Sequence, residues 1–229
     1  MTALQAIILD FDGVVANSER LHLRAFQDAL QATSLVLTDE AYYQRYLGFD
    51  DLGVLKALGR DLGAPLSEDQ LEALVDDKGR RYEALTASGE MLFPGASDFI
   101  RAAAAEVPLA IASGAMTHEI EDVLTHASLR GHFLAVVGAD QTPASKPAPD
   151  PYLEAFARMQ AAAGRPLSAR HTVAIEDSRW GLESARAAGL RTVAVTNTYP
   201  AGALTGYAEL VVDGLGTLSL TALDQLCGR

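Results

Sequence analysis

From Phe93 onward the sequence alternates short apolar runs with longer amphipathic stretches, and that alternation leaves few folds open. Runs at 109–112, 135–137, 172–175, 192–195 and 210–212 are short and nearly all apolar. Strands covered on both faces read this way. Between them, helical stripes span 96–106, 116–127, 151–163 and 180–188, with a last helix near 221–226. Pro151 suits a first helical turn, where an N–H has no partner to lose, and Gly189 suits a C-terminal cap. Strands alternating with helices imply right-handed crossovers and a parallel sheet. One more apolar run, Ala6 to Leu9, opens the chain as a buried strand. The stretch 17–89 between it and the rest shows helical patterns only. A first helix starts near Asn17-Ser18-Glu19 and carries the stripe Leu21, Ala25, Phe26, Ala29, Leu30. Two more are expected at 40–47 and 51–62, interrupted by Gly48, and a fourth runs from the capping box Ser67-x-x-Gln70 to about Leu85. The expected architecture is α/β: a Rossmann-like doubly wound parallel sheet core, residues 1–16 and 90–229, with an inserted four-helix cap domain at 17–89. An insertion there lands over the carboxyl ends of the strands, where open α/β sheets place their ligands, so 17–89 is a candidate lid.

Composition removes whole classes of function. Hydrophobic residues make up 49% of the 229, enough for a substantial core. The net charge of −12 argues against binding along a nucleic-acid backbone, which needs a basic surface. An anionic substrate would need local cations or a metal against this field. The single cysteine, Cys227, rules out a disulfide framework within the chain and fits a reducing compartment. No basic leader precedes the first strand, and no apolar run reaches about 18 residues. A cytoplasmic, membrane-free monomer is expected.

Chemistry-bearing residues gather where strands end. Asp10 and Asp12 follow the first strand in Asp10-Phe11-Asp12-Gly13. In extended chain, positions i and i+2 face the same way, so both carboxylates can address one cleft. They repel unless a cation or proton sits between them. Gly13 allows a sharp turn just beyond. Ser113-Gly114 ends the run at 109–112, and Glu176-Asp177-Ser178 ends the run at 172–175. Lys146 stands in the proline-stiffened stretch Ser145-Lys146-Pro147-Ala148-Pro149-Asp150-Pro151. Each has a bland reading alone: Ser113 a helix cap, Glu176 and Asp177 acids favoured at a helix N-terminus, Lys146 a surface lysine. Together they supply acids, a hydroxyl and a cation to one sheet edge. Asp10 with Glu176 and Asp177 would hold a hard cation such as Mg2+ through oxygen ligands. That cation neutralises a phosphate and lets a carboxylate approach it. A lysine and a hydroxyl can hold the transferring oxygens, and the second aspartate can move the proton.

Asp10-Phe11-Asp12-Gly13-Val14-Val15, Ser113, Lys146-Pro147 and Glu176-Asp177-Ser178 resemble, in order, the four motifs of the haloacid dehalogenase superfamily. The resemblance spans essentially the whole chain, and the helical insert is similar to the small cap of its beta-phosphoglucomutase-like branch. It implies Asp10 as a nucleophile forming an aspartyl-phosphate. It implies Asp12 as general acid/base that also gives Mg2+ a backbone carbonyl, and so the metal set Asp10, Asp12, Glu176 and Asp177. Ser113, Gly114 and Lys146 would bind the transferring phosphate. Members that remove halide lack an acid at the second aspartate, so Asp12 favours phosphoryl transfer.

Two residues of the insert extend that resemblance. His22 matches a histidine near the cleft on the first cap helix, and reads equally as a half-buried helix histidine. Lys78 interrupts the stripe Leu71, Leu74, Val75, Lys78, Tyr82, Leu85. A lysine there either snorkels to water or, as Lys78-x-x-x-Tyr82 implies by resemblance, reaches the substrate phosphate site. The hexose-phosphate mutases carry a Lys-Gly and then an Arg where this chain has Leu47-Gly48-Phe49-Asp50-Asp51-Leu52. The glycine is kept, but both cations are gone and two acids appear, which disfavours a bisphosphate intermediate gripped at both ends. Asp50 and Asp51 read as solvated loop acids, with substrate hydroxyls as the alternative. The expected function is a Mg2+-dependent phosphatase acting on a small phosphorylated metabolite, a sugar phosphate. A sugar-phosphate mutase is the alternative, and a phospho-accepting signalling domain a third, disfavoured by the cap and the chain length.

Overall fold

The computed structural model describes residues 3–86 and 91–228. By contact the chain divides into two units, residues 1–17 with 92–229, and residues 18–91. The expected boundary at 89/90 lies outside the described residues.

Strand β1 is Ala6–Leu9. The helical unit follows with α1 Glu19–Leu30, α2 Asp39–Ala41, α3 Asp51–Asp61 and α4 Glu68–Thr86. Ser18 precedes α1, but its side chain makes no capping bond to the helix. The Ser67 and Gln70 capping box forms as expected: Ser67 N–H donates to Gln70 Oε1 at 2.9 Å, and Gln70 N–H to Ser67 Oγ at 3.3 Å. The expected second helix departs from regular α geometry. Beyond α2 the chain widens into a π turn over Tyr42–Tyr46, with Leu47 N–H on the Tyr42 carbonyl at 2.9 Å. The hydroxyls of Tyr42 and Tyr46 then donate to Glu19 and Asp61, both at 2.9 Å, pinning this turn to α1 and α3. Helix α1 packs chiefly on α4.

The core unit resumes with α5 Ala96–Ala104, β2 Leu109–Ala112, α6 Thr117–His126, β3 Ala135–Val137, α7 Asp150–Ala163 and β4 Thr172–Glu176. It ends with α8 Arg179–Ala187, β5 Arg191–Val195, α9 Ala201–Leu204, β6 Leu210–Val212 and α10 Leu220–Cys227. All six strands are parallel, in the order β3-β2-β1-β4-β5-β6. The Rossmann-like core expected from the alternation is therefore present, with β1 near its middle. Alternate strand residues feed two hydrophobic layers, because successive side chains point to opposite faces. Ile7, Leu9, Leu109, Ile111, Val173 and Ile175 pack with Ile100, Ile120 and Leu223. Ala6, Ile8, Ala110 and Ala174 pack with Tyr152, Ala155 and Met159 of α7. The small alanines on this second face let α7 lie close to the sheet.

After β1 the chain crosses to β2 on one side, and after β3 it returns to β4 on the other. The crevice at such a reversal, beyond the carboxyl ends of the strands, is where open α/β sheets bind ligands. Register places Leu9 beside Ile175, so Asp10 and Glu176 are the next pair beyond it. No helix among the described residues is long and apolar enough to cross a membrane.

Candidate active site

Parity along the strands decides which side chains meet. Asp10 and Glu176 share the face of Ile8 and Ala174, the face covered by α7. Lys146 lies just before that helix. Its Nζ is 2.8 Å from Asp10 Oδ1 and 2.6 Å from Glu176 Oε1, and its side chain is 3% exposed. Tyr152, in the first turn of α7, donates its hydroxyl to the same Glu176 oxygen at 2.9 Å. Lys146 Nζ also sits 5.3 Å from the Tyr152 ring centre. The other Glu176 oxygen accepts from Asp177 N–H at 3.1 Å, Ser178 N–H at 3.3 Å and Ser178 Oγ at 3.2 Å. Five donors thus converge on a carboxylate with no exposure. Ser178 in turn caps α8, accepting from Gly181 N–H at 3.1 Å.

Burial pushes the Asp10 carboxyl well above the usual carboxylate range, and the negative charge of Glu176 pushes the same way. Lys146 opposes both, and Asp12 adds to the rise. Burial alone would discharge Lys146, but Asp10 and Glu176 outweigh it and hold the ammonium charged, above the ordinary lysine value. The result is a buried cluster carrying more carboxylate than cation.

Ligand oxygens of Asp10, Glu176 and Asp177 all lie within 4.8 Å of one another. Buried hard-oxygen donors with surplus negative charge suit a hard divalent cation. Gly13 fits the same picture. At φ 78° it turns the chain just past Asp12, and a Cβ added there would come within 2.0 Å of Asp177 Oδ2. Glycine is what allows the loop to approach that carboxylate. The donor set therefore fits Mg2+.

Against this geometry stand the comparisons with known proteins. Residues 7–195 match the family model described as haloacid dehalogenase-like hydrolase. The chain belongs to this family. It is 32% identical to Protein CbbY of Rhodobacter capsulatus, covering 97% of this chain and 99% of that one. It is 27% identical to the fructose-1-phosphate phosphatase YqaB of Escherichia coli, covering 82% and 95%. A crystal structure of CbbY from Rhodobacter sphaeroides, in complex with xylulose-1,5-bisphosphate, matches with a TM-score of 0.83 at 27% identity, covering 96% and 99%. The haloacid dehalogenase-like chain is an enzyme, a phosphatase of that superfamily.

Within the hydrolase core, five of the expected residues come together: Asp10, Asp12, Lys146, Glu176 and Asp177. Ser113, 2% exposed, ends the neighbouring strand β2 with Gly114 after it. Its Oγ accepts from Ala115 N–H at 3.1 Å, a tight local turn, while the residue that caps α6 is Met116. The Lys146–Pro147 peptide is cis.

His22 and Lys78 form a second cluster inside the helical unit. Lys78 has no exposed surface, so the snorkelling alternative is excluded. Its Nζ lies 2.8 Å from Asp51 Oδ2 and 2.8 Å from His22 Nδ1. The ammonium has only donors to offer, so Nδ1 is the acceptor in this contact. The ammonium also sits 5.2 Å from the Phe26 ring centre and 4.9 Å from that of Tyr82, which stacks on His22 at 3.9 Å. Asp50 and Asp51 are not the solvated loop acids expected. Asp50 caps α3, accepting from Gly53 N–H at 2.6 Å, and Asp51 is the counter-ion of Lys78. A buried ammonium needs a carboxylate, and Asp51 supplies it.

Sequence reasoning missed Tyr152, Asp51 as a partner, and Asn197, whose Nδ2 donates to the Gly13 carbonyl at 2.8 Å. Asn197 was findable by the rule that found Glu176, since it lies just past the end of β5. Tyr152 carries no local signal: it is one aromatic in a helical stripe.

Proposed function

We propose that this protein is a Mg2+-dependent phosphatase that hydrolyses a small sugar phosphate through an aspartyl-phosphate on Asp10. The observation that carries the reading is Lys146 bridging Asp10 and Glu176 in a buried cluster that also holds Asp177. The names of its relatives, a fructose-1-phosphate phosphatase and a CbbY with a bound ketose bisphosphate, support a sugar as the phosphate's carrier.

Asp10, Glu176 and Asp177 would hold the Mg2+, with Asp12 adding its backbone carbonyl. When bound, the ion offsets the surplus negative charge and screens phosphate from Asp10. A carboxylate oxygen of Asp10 attacks phosphorus, and the bond from phosphorus to the sugar oxygen breaks. Asp12 gives its proton to the departing oxygen, so the sugar leaves as an alcohol. Water then attacks the aspartyl-phosphate while Asp12 takes back a proton. Phosphate departs and the Asp10 carboxylate is restored. Lys146 stabilises the transferring oxygens, and Ser113 with the Gly114 backbone donates to them. His22 and Lys78 belong to the substrate side of this reading. Acids at Asp50 and Asp51, both engaged within the helical unit, argue against a mutase gripping a second phosphate there. The single cysteine suits a cytoplasmic setting, and a monomer is the expected form.

A panel of sugar monophosphates, with xylulose 1,5-bisphosphate included, tests the reading when inorganic phosphate and isomeric products are followed together. Phosphate release that stops with EDTA, returns with Mg2+ and vanishes in Asp10→Asn is expected. An active Asp10→Asn, or isomer without free phosphate, overturns it.

A further inference from the structure

The loop after β5 has no part in the chemistry above, yet it grips the loop after β1. Asn197 Nδ2 donates to the Gly13 carbonyl at 2.8 Å. Gly13 N–H donates to the Ala16 carbonyl, also at 2.8 Å. Both peptide planes around Gly13 are therefore held. One of those planes contains the Asp12 carbonyl. The space above the Gly13 Cα is closed by Asp177 Oδ2 and by Thr198 Oγ1, which would lie 2.0 and 2.9 Å from an added Cβ. Loops from β1, β4 and β5 thus meet at a residue with no side chain. Glycine has the widest conformational freedom of any residue, so nothing in Gly13 itself fixes its left-handed φ of 78°.

We propose that Asn197 is a positioning residue for catalysis. By holding the Gly13–Val14 peptide, it fixes the surface against which the Asp177 carboxylate rests and, across the Gly13 Cα, braces the Asp12–Gly13 peptide that Ala16 holds from the other side. This rests on the reading of Asp12 as acid/base and Asp177 as a metal carboxylate. Losing the amide leaves the loop folded, through Gly13 N–H on Ala16 and the β1 hydrogen bonds, but the Gly13–Val14 plane then keeps only the long 3.4 Å bond from Val14 N–H to the Phe11 carbonyl and can tilt. Misplacement of a catalytic group by roughly 1 Å is enough for a hundredfold loss.

Asn197→Asp keeps the shape and turns the donor into an acceptor; Asn197→Ala removes it and serves if the first variant does not fold. With para-nitrophenyl phosphate and Mg2+, kcat should fall about 10- to 100-fold with KM within about twofold. In an Asp12→Asn background the same change should cost no further turnover, because Asn197 acts through Asp12. A second readout does not need turnover. Trp180, the only tryptophan, lies three residues beyond Asp177 and serves as the fluorescence probe in a Mg2+ titration, with calorimetry of the same titration as the check. The apparent affinity should weaken several-fold in either variant. Unchanged kcat and unchanged Mg2+ titration in a folded variant overturn the inference, as does a loss that adds fully to that of Asp12→Asn. If the parent releases no phosphate yet the Mg2+ titration weakens in the variants, the proposed function fails while the positioning of the Asp177 carboxylate by Asn197 stands.

Discussion

Lys146→Met removes a cation placed between two buried carboxylates. The ammonium lies 2.8 Å from Asp10 and 2.6 Å from Glu176, with 3% of its side chain exposed. Methionine fills nearly the same volume, so packing against Tyr152 survives and the loss is electrostatic. Breaking a buried pair from one side costs about 3–5 kcal/mol, because the partner charge is left uncompensated. For a chain of this size that is a fall in Tm of about 6–20 °C. The loss also has a pH signature. Asp10 already binds its proton more tightly folded than unfolded, through burial and Glu176. Without Lys146 that preference grows. A raised carboxyl makes the folded state hold more protons, so stability falls as pH rises through the shifted range and recovers as pH drops. The deficit of Lys146→Met should therefore be full at pH 8 and much smaller at pH 5. Urea melts of both proteins at the two pH values, without Mg2+, measure it. A deficit under about 1 kcal/mol, or one equal at both pH values, would show that Lys146 is not the charge holding this cluster together.

Gly13→Ala combines a left-handed φ of 78° with a clash at 2.0 Å on Asp177, and should abolish Mg2+ binding measured by calorimetry; an unchanged titration refutes it. Asp51→Ala strands Lys78 and should cost about 2–4 kcal/mol, discounted because Asp51 keeps 17% exposure, with hydrogen exchange rising in α1 and α4. Adding Lys78→Met should restore most of that protection; no recovery would locate the loss in packing instead. Burial pushes the Cys227 thiol up to about 11, so iodoacetamide at pH 8 should modify the native protein far more slowly than the urea-unfolded one. Equal rates would contradict its burial.

The strands were legible because a parallel sheet buried on both faces leaves unbroken apolar runs, and β1, β2, β3 and β6 fall where those runs lie. The helices were legible to within a residue or two, since caps such as Ser67 and Gln70 or Gly189 mark ends locally. The π turn at Tyr42–Tyr46 was not, because helical spacing does not distinguish a turn widened by one residue. Nor was α9, a single turn of Ala201–Leu204 too short for periodicity. In the site, strand-end position exposed Asp10, Glu176 and Asp177. Partnerships across long stretches of chain escaped: Tyr152 with Glu176, Asn197 with Gly13, Asp51 with Lys78. A side chain's type and local pattern say what it can bond to, and only the fold says which group arrives.

The pairing of Ala16 with Leu92 has a wider consequence. These two residues bridge antiparallel, and Phe93 N–H donates to the Val15 carbonyl at 3.0 Å. The chain therefore departs for its helical unit and returns from it through adjoining doorposts. Such an opening could be spanned by a tight turn in place of the whole excursion, at little loop-closure cost. Helical inserts of other lengths could hang from the same doorway without disturbing the strands that carry Asp10 and Glu176. A catalytic sheet built this way can change the company it keeps while its own reactive groups stay put.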